Sequence, residues 1–238
     1  MVRVLAVSDV VEDALLADLS AAHGAALILA CGDLPFDYLG YLMNALDIPL
    51  VFVPGNHDPE LTGYRTSRAG LTLRAGLWAQ PPWPDGAVSA DGRIVDVAGL
   101  RIAGLGGCLR YSDGPNQYSS RQQAHRARWL AGRAMLRPAR AGRRVDVLLT
   151  HAPPRGVGDE PDPPHQGFSV LHTLVAQLNP ALLLHGHVHP ESGVHPDRRL
   201  GGTIVRNVTG RHLLDIEPVG FAGDVSASAP GAREDRAR

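Results

Sequence analysis

The stretch LLLHGHVHP, residues 182–190, places three histidines at alternate positions directly after an apolar run. Side chains of an extended strand alternate between its two faces, so an extended segment would turn His185, His187 and His189 to one side. Imidazole nitrogens are common metal ligands in proteins. A cluster of imidazoles at the end of a buried strand therefore indicates a metal site.

Apolar strands that end in polar residues recur along the chain. The patterns predict strands over 2–8, 26–33, 49–55, 145–151 and 181–187, and helices over 12–23, 37–46, about 120–136 and 167–178. Short apolar strands separated by helices favour parallel pairing, which brings their carboxyl ends to one edge of a sheet. Residues 92–105 alternate like a hairpin around Gly99, and closing strands are predicted near 202–208 and 211–217, so antiparallel strands join the sheets.

The length and composition predict one folded domain followed by a tail. With 238 residues, of which 44% are hydrophobic, the chain is long enough for one large domain or two small ones. We expect a single domain over 1–219. Residues 220–238 are mostly small, polar or charged, which is typical of a disordered tail.

Charge and cysteine content narrow the classes of partner and location. The formal net charge of -1 gives no general attraction to nucleic acid, and we expect no stable nucleic-acid partner. Only Cys31 and Cys108 are present, each in or beside an apolar segment, so we expect no disulfide and a cytoplasmic location. No run has membrane-spanning length, so we expect no membrane association. The oligomeric state is left open.

Oxygen and nitrogen ligands follow five of the predicted strands. Asp9, Asp33, GNHD (55–58), His151 and GHVH (186–189) each stand where an apolar strand ends. Carboxylate, amide oxygen and imidazole together suit divalent manganese, iron or zinc. A lone histidine is more often a packed or exposed structural residue, so the metal prediction rests on the combination of all five pieces.

Taken in this order, the residues resemble the calcineurin-like metallophosphoesterase family from residue 2 to about residue 217. The family pattern is Asp-x-His, Gly-Asp, Gly-Asn-His followed by Asp or Glu, a lone His, and Gly-His-x-His. The corresponding residues here are Asp9, Gly32-Asp33, Gly55-Asn56-His57-Asp58, His151 and Gly186-His187-Val188-His189. The resemblance implies an α/β (α+β) fold of four layers, αββα, in which two mixed β-sheets are flanked by helices. It also implies a two-metal centre that hydrolyses phosphate esters by in-line attack of a metal-bound hydroxide.

The resemblance gives one metal position a complete set of ligands. This second position takes Asp33 as a bridging carboxylate, the amide oxygen of Asn56, and the imidazoles of His151 and His187. His185 lies outside the family's metal set, and we expect it to support the ligands or to be buried and hydrogen-bonded.

The first metal position is incomplete by the same comparison. It takes Asp9, the shared Asp33 and His189, but Val11 stands where the family has a second histidine. Valine cannot coordinate, so water or a nearby group such as Glu12 or Asp13 completes the shell, or the ion binds weakly. Both acids equally suit the start of a helix, which is the role we favour. The expected cofactors are two divalent ions, manganese first, with iron or zinc as alternatives.

The resemblance makes His57 the group that protonates the departing alkoxide, with Asp58 as its orienting partner. Asp37 is an alternative partner. Helix capping or loop solvation could explain either acid, and for Asp37 it is the role we favour. His165 lies in a proline-rich loop and either reaches the substrate or is a solvent-exposed loop residue.

The segment 106–119 adds further candidates. Arg110 could clamp a phosphate, Tyr111 could stack on a base and Asn116 could hydrogen-bond to substrate, or all three shape a lid.

Two classes of function follow from these residues. The first is a hydrolase of phosphomonoesters or phosphodiesters, possible substrates including small or cyclic nucleotides, whose partner is a small phosphate ester. The alternative is a non-catalytic binding or scaffold module on the same fold with an eroded metal site, which only the missing histidine favours. We favour the enzyme because His57 has its family role in proton transfer. The balanced charge and modest length disfavour a processive nuclease.

Overall fold

The computed structural model describes residues 1–67, 71–139, 142, 144–189 and 196–218. The helices there are α1 (Asp13–Ala17), α2 (Phe36–Leu46), α3 (Ser120–Met135) and α4 (Val170–Leu178), with 3-10 turns at Leu19–Ala22 and Pro163–His165. The strands there are β1 (Val2–Ser8), β2 (Leu27–Ala30), β3 (Leu50–Phe52), β4 (Tyr64–Thr66), β5 (Thr72–Arg74), β6 (Leu77–Trp78), β7 (Val88–Ser89), β8 (Ile94–Val97), β9 (Leu100–Leu105), β10 (Cys108–Leu109), β11 (Gln117–Tyr118), β12 (Val147–Thr150), β13 (Leu182–His185), β14 (Arg198–Leu200), β15 (Thr203–Asn207) and β16 (Gly210–Ile216). The predicted tail, 220–238, lies outside the described residues.

Two mixed sheets form the centre of the fold. The first has the strand order β16-β1-β2-β3-β7, in which only β16 is antiparallel to its neighbour. The second has the order β14-β15-β13-β12-β9-β8, with antiparallel strands at both edges of a parallel centre. The predicted hairpin around Gly99 is the β8–β9 pair.

Apolar side chains from the two sheets pack face to face. Val4 and Leu29 of the first sheet share a buried cluster with Ile102 and Leu149 of the second. Removing one such side chain from water contributes about 1.5–3 kcal/mol. This layer of apolar contacts holds the sheets together and brings the carboxyl ends of their parallel strands to one end of the molecule.

Helices cover the outer face of each sheet. Leu15 of α1 and Leu42 of α2 pack on the first sheet, and Leu130 of α3 and Leu174 of α4 pack on the second. The expected four-layer α/β architecture is therefore confirmed. None of the described helices is both long enough and apolar enough to cross a membrane.

Local hydrogen bonds overrule part of the predicted secondary structure. The helix predicted over 12–23 is wrong, because Asp18 is extended (φ -152°, ψ 120°) and accepts a hydrogen bond from the Ser20 N–H, which starts a separate 3-10 turn. The strand predicted over 181–187 is wrong at its end, because β13 stops at His185 and His187 is left-handed at φ 69°, so the three histidines do not follow one another along an extended segment. The sheet β4-β5-β6 was not predicted, since its two- and three-residue strands contain no long apolar run.

Both cysteines are buried free thiols, as expected. Burial raises the pKa of each thiol, and that of Cys108 reaches about 12. The neutral thiols therefore act as small apolar side chains of the core.

A glycine after β13 allows the two sheets to approach closely at the polar end. A Cβ atom built on Gly186 would collide with Ser8 Oγ and with Asp9 Oδ2 of the opposite sheet. We predict that Gly186→Ala lowers the free energy of unfolding by about 1–3 kcal/mol, because the added methyl forces the strand ends apart. Urea denaturation followed by circular dichroism measures the change.

The matched control is Gly132→Ala on α3, where a Cβ atom meets nothing within 4 Å. Alanine is the better helix former, so this variant should be about 0.5–1 kcal/mol more stable than the wild type. A Gly186→Ala protein as stable as the wild type would contradict the close approach.

Candidate metal centre

The predicted ligands converge at the carboxyl ends of the parallel strands. Asp9 and Asp33 follow β1 and β2 of the first sheet, while His151 and His187 follow β12 and β13 of the second. Ligand atoms of Asp33, His151 and His187 lie within 4.8 Å of one another. These side chains are mostly or fully buried, so the centre lies between the two sheets.

Three residues of the centre adopt left-handed backbone conformations, with φ of 62° at Asp9, 57° at Asp33 and 69° at His187. Such a conformation costs a non-glycine residue about 1–3 kcal/mol, so the surroundings must hold it in place. The His187 N–H donates to both oxygens of Asp9, at 3.1 and 3.0 Å. The N–H of His57 donates to Asp33 Oδ1 at 2.8 Å. These bonds offset the strain and orient both carboxylates.

His151 lies at the middle of the polar groups and is fully buried. Its Nδ1 is 2.7 Å from the carbonyl oxygen of Cys31, which only accepts, so Nδ1 carries a proton. Its Nε2 lies 2.9 Å from Asn56 Oδ1 and 3.2 Å from Asp33 Oδ2. Burial lowers the pKa of His151, but the Asp33 carboxylate outweighs burial and brings the pKa to about 9. At neutral pH the Nε2 proton therefore lies among oxygens that can also bind a cation.

His187 has the opposite protonation state. Its Nε2 is 2.7 Å from the carbonyl oxygen of Pro164, so Nε2 carries the proton and Nδ1 is bare. Burial, and then the positive charge of His151, lower the pKa of His187 to about 4. His187 is therefore neutral at physiological pH, the state in which an imidazole binds a metal.

Asp9 is an anion held on the first-sheet side of the centre. Burial raises the pKa of this carboxyl, but the hydrogen bond from His189 and the charge of His151 outweigh it and bring the pKa to about 2. His189 Nε2 is 3.6 Å from Asp9 Oδ1, and the His189 side chain is 55% exposed. Asp9, Asp33 and His189 are thus available for the first position.

The described contacts place no other metal-binding group next to Val11 in the position of the missing histidine. Val11 is 37% exposed. The carboxylate of Glu12 lies 3.5 Å from Arg211 Nε, and Asp13 occupies the first turn of α1. The helix-start role favoured for both acids agrees with this placement, because Glu12 is the N-cap residue of α1, and Glu12 also forms an ion pair with Arg211.

The loop after β3 presents His57 to solvent and turns Asp58 inward. His57 is exposed, and its main chain is fixed by the bond to Asp33. Asp58 Oδ2 accepts the N–H groups of Asp33 at 2.9 Å and Gly55 at 2.7 Å. Burial raises the pKa of Asp58 to about 6, although these N–H groups lower it. Asp58 therefore closes the loop, and the described hydrogen bonds include none between its carboxylate and the His57 imidazole. Asp37 lies in the first turn of α2.

Of the predicted substrate residues, Asn116 has a structural role in the loop that carries His57, whereas Arg110 lines a cavity. Asn116 is buried, and its Nδ2 donates to the carbonyl oxygens of Gly55 and Asp58, so it fastens the His57 loop. Arg110 donates to the carbonyl oxygen of Gln117 and lines a cavity of about 750 Å³.

The remaining two histidines differ in their distance from the centre. The His165 ring lies 5.4 Å from the His187 ring, and its Nδ1 is 2.7 Å from Asp162 Oδ2. His165 therefore borders the ligands. His185 is buried with Nδ1 2.9 Å from the Gly186 carbonyl oxygen, as expected for a buried, hydrogen-bonded residue.

Two supporting contacts were not predicted from the sequence. The Tyr111 hydroxyl accepts a hydrogen bond from Asn56 Nδ2 at 3.1 Å, and the Pro164 carbonyl contacts His187. A main-chain carbonyl leaves no signal in the side-chain pattern. For the Tyr111 contact, the only indication in the sequence was the position of this residue in a polar loop that precedes a helix.

Comparisons with known proteins agree with this geometry. An uncharacterized protein of Haemophilus influenzae is 28% identical over 183 residues, which cover 68% of this chain and 72% of that protein. The crystal structure of TT1561 of Thermus thermophilus has a TM-score of 0.57 at 18% identity and covers 87% of this chain and 89% of its own. A second crystal structure, also 18% identical, has a TM-score of 0.59 and covers 90% of this chain and 99% of its own. These structures share the fold.

The family comparison covers most of the chain. The model of the calcineurin-like phosphoesterases matches residues 2–191, a span that contains Asp9, Asp33, the His57 loop, His151 and His187. Metal-dependent phosphoesterase chemistry is general in that family, and its members generally bind divalent metals. The chain belongs to the calcineurin-like phosphoesterase family.

Proposed function

We propose that the protein hydrolyses small phosphomonoesters or phosphodiesters, small and cyclic nucleotides among the candidates. The convergence of one carboxylate, one amide oxygen and two imidazoles on a single buried point carries the proposal. Asp33, Asn56, His151 and His187 supply these groups, and the Nε2 proton of His151 lies between two of the oxygens. A proton held among buried oxygens is consistent with a cation site, because the same lone pairs serve both.

The donor set fits divalent manganese, with iron or zinc as alternatives. The second position has four protein ligands. The first has Asp9, Asp33 and His189, and Val11 adds no donor, so we propose that it binds its ion more weakly. Divalent ions in such a pair lower the pKa of bound water and neutralise charge on phosphoryl oxygens.

We propose that His57 is the general acid. Its main-chain N–H is fixed to Asp33 while its side chain is exposed, so the imidazole can exchange protons with solvent beside the ligands. The leaving group would receive its proton on this side. Asp58 holds the loop that carries His57, and Asn116 fastens the same loop from the other side.

Substrate contacts are proposed on two sides of the centre. Arg110 lines the cavity of about 750 Å³ that also borders Glu60, two residues after Asp58, so the leaving group would extend towards it. His165 borders His187 from the loop at 159–167 and would face the phosphoryl group. The guanidinium group of Arg110 could donate two parallel hydrogen bonds to a second phosphate on the substrate.

The position of His57 favours an enzyme over a scaffold module. This imidazole is outside the proposed ligand set and exposed, so neither metal binding nor packing accounts for it. We also propose a cytoplasmic location, because the buried thiols of Cys31 and Cys108 suit a reducing compartment.

The proposed activity is tested by turnover of esters with good and poor leaving groups. The protein reconstituted with Mn²⁺ should hydrolyse a nitrophenyl phosphate and an alkyl phosphate, and removal of the ion with EDTA should abolish both. We predict that His57→Ala lowers kcat for the alkyl phosphate by about 10²–10⁴. The loss should be smaller for the nitrophenyl phosphate, because its leaving group needs little protonation.

His125→Ala, at an exposed position on α3, is the matched control and should retain full activity. Metal content of the His57→Ala protein should equal that of the wild type. If the ion is lost instead, His57 is a ligand and not an acid.

A second prediction concerns the incomplete first position. Val11→His should increase metal affinity there by at least about tenfold, since even groups that only support ligands change affinity 10–100-fold. Isothermal titration calorimetry with Mn²⁺ should show a tighter phase, for binding at the second position, and a weaker phase, for binding at the first. Val10→His, at a neighbouring residue with similar exposure, is the control and should leave this phase unchanged. An unaltered titration of Val11→His would mean that another group already completes the shell.

Metal affinity should depend on pH through His151. Because the pKa of His151 is about 9 and that of His187 about 4, one proton must leave when an ion binds at neutral pH. The affinity of the tighter phase should therefore rise about tenfold per pH unit between pH 6 and 8. Competition with a fluorescent chelator at several pH values measures the slope, and a flat profile would exclude proton displacement from His151.

A further inference from the structure

We propose that Tyr111 is a positioning residue that accepts the NH₂ group of Asn56 and so supports the orientation in which the amide oxygen is turned to the metal site. The inference rests on the proposed function only in that it requires a cation at the second position. The contact is direct, because Asn56 Nδ2 donates to the Tyr111 hydroxyl oxygen at 3.1 Å.

The terminal amide of Asn56 has one atom that can bind a cation and one of the same size that cannot. Its amide oxygen has lone pairs, whereas its NH₂ group only donates. Rotation by about 180° around the last side-chain bond would exchange the two within the same space. Asn56 is only 4% exposed, so solvent does not select the orientation. Selection must come from its neighbours.

Two neighbours fix the present orientation. His151 Nε2 lies 2.9 Å from Oδ1, and the Tyr111 hydroxyl receives Nδ2. The first contact needs a proton on Nε2, which metal binding displaces. The contact with Tyr111 does not depend on that proton. A hydroxyl can both donate and accept, so this contact does not choose between the amide ends by itself, but it supplies the acceptor that Nδ2 needs while Oδ1 faces His151 or a cation.

Tyr111 can do this because its own loop is rigid. The N–H groups of Tyr111 and Ser112 both donate to Gln117 Oε1, at 3.1 and 2.9 Å. Gln117 Nε2 donates to Ser112 Oγ at 2.8 Å, and Gln117 is 5% exposed. The buried amide thus closes the turn that carries the ring. The ring keeps its place although Tyr111 is 39% exposed.

The test compares two tyrosine variants in the protein titrated with Co²⁺, whose visible absorption reports ligand geometry. Tyr111→Phe keeps the ring but leaves Nδ2 without its acceptor. Affinity in the tighter phase should fall about 10–100-fold, with an altered spectrum. Tyr41→Phe is the matched control, because Tyr41 is 40% exposed and its hydroxyl donates to the Leu16 carbonyl. This control should bind Co²⁺ like the wild type.

Asn56→Asp distinguishes orientation from general support of the loop. A carboxylate has no N–H group to be left without an acceptor and presents an oxygen to the metal in either orientation, so the Tyr111→Phe penalty should be clearly smaller in the Asn56→Asp background. An undiminished penalty there would overturn the proposal. So would wild-type affinity and spectrum in Tyr111→Phe, including the case in which only turnover is lost, because the hydroxyl would then act on the substrate.

The same titrations separate this inference from the proposed activity. A wild-type protein that binds Co²⁺ but hydrolyses none of the esters would refute the activity, and the variants would still decide the role of Tyr111. A wild-type protein that binds no ion would refute both.

Discussion

The hydrogen bonds of His151 connect the two sheets at the polar end of the molecule. The residue follows a strand of the second sheet, yet its Nδ1 contacts the Cys31 carbonyl and its Nε2 contacts Asp33 and Asn56, all from the first. Because His151 is fully buried, each of these partners would lose its hydrogen bond without gaining water if the imidazole were removed. The positions of Asp33 and Asn56 therefore depend in part on this single side chain.

The charges at the centre are those that would favour a bound cation. The pKa of Asp9 is about 2 and that of Asp33 is lowered, so both are anions, whereas His151 is positive and His187 is neutral. Among these four buried side chains, two negative charges therefore face one positive charge. Asp58, with a pKa of about 6, adds negative charge near neutral pH, and the raised pKa of the half-exposed His189 favours its cation on the solvent side of Asp9. Burying an uncompensated charge is costly, and a divalent ion that displaces the His151 proton would balance the charges of Asp9 and Asp33 while binding the same oxygens. The buried carboxylates thus favour metal over protons as pH rises.

The sequence predicts the parts of this protein that depend on local pattern. Apolar strands ending at Asp9, Asp33, Asn56 and His151 were visible because burial and ligand chemistry each leave a side-chain signature. The break at Asp18 and the left-handed turn at His187 were missed, because both depend on hydrogen bonds whose geometry the residue types do not specify. The contacts of Tyr111 and of the Pro164 carbonyl join segments far apart in the chain, and only the packed structure brings them to the ligands.

Both of these supporting contacts come from loops outside the ligand motifs, so in the proposed site the same segments would influence metal geometry and substrate choice. Arg110 lines the cavity beside the His57 loop while its neighbour Tyr111 contacts Asn56. Pro164 contacts His187 while the next residue, His165, packs near the same ring. A change in either loop that alters the substrate contacts would also move a group that orients a ligand. The chain therefore couples the ligands it offers to a metal with the loops that would select a substrate.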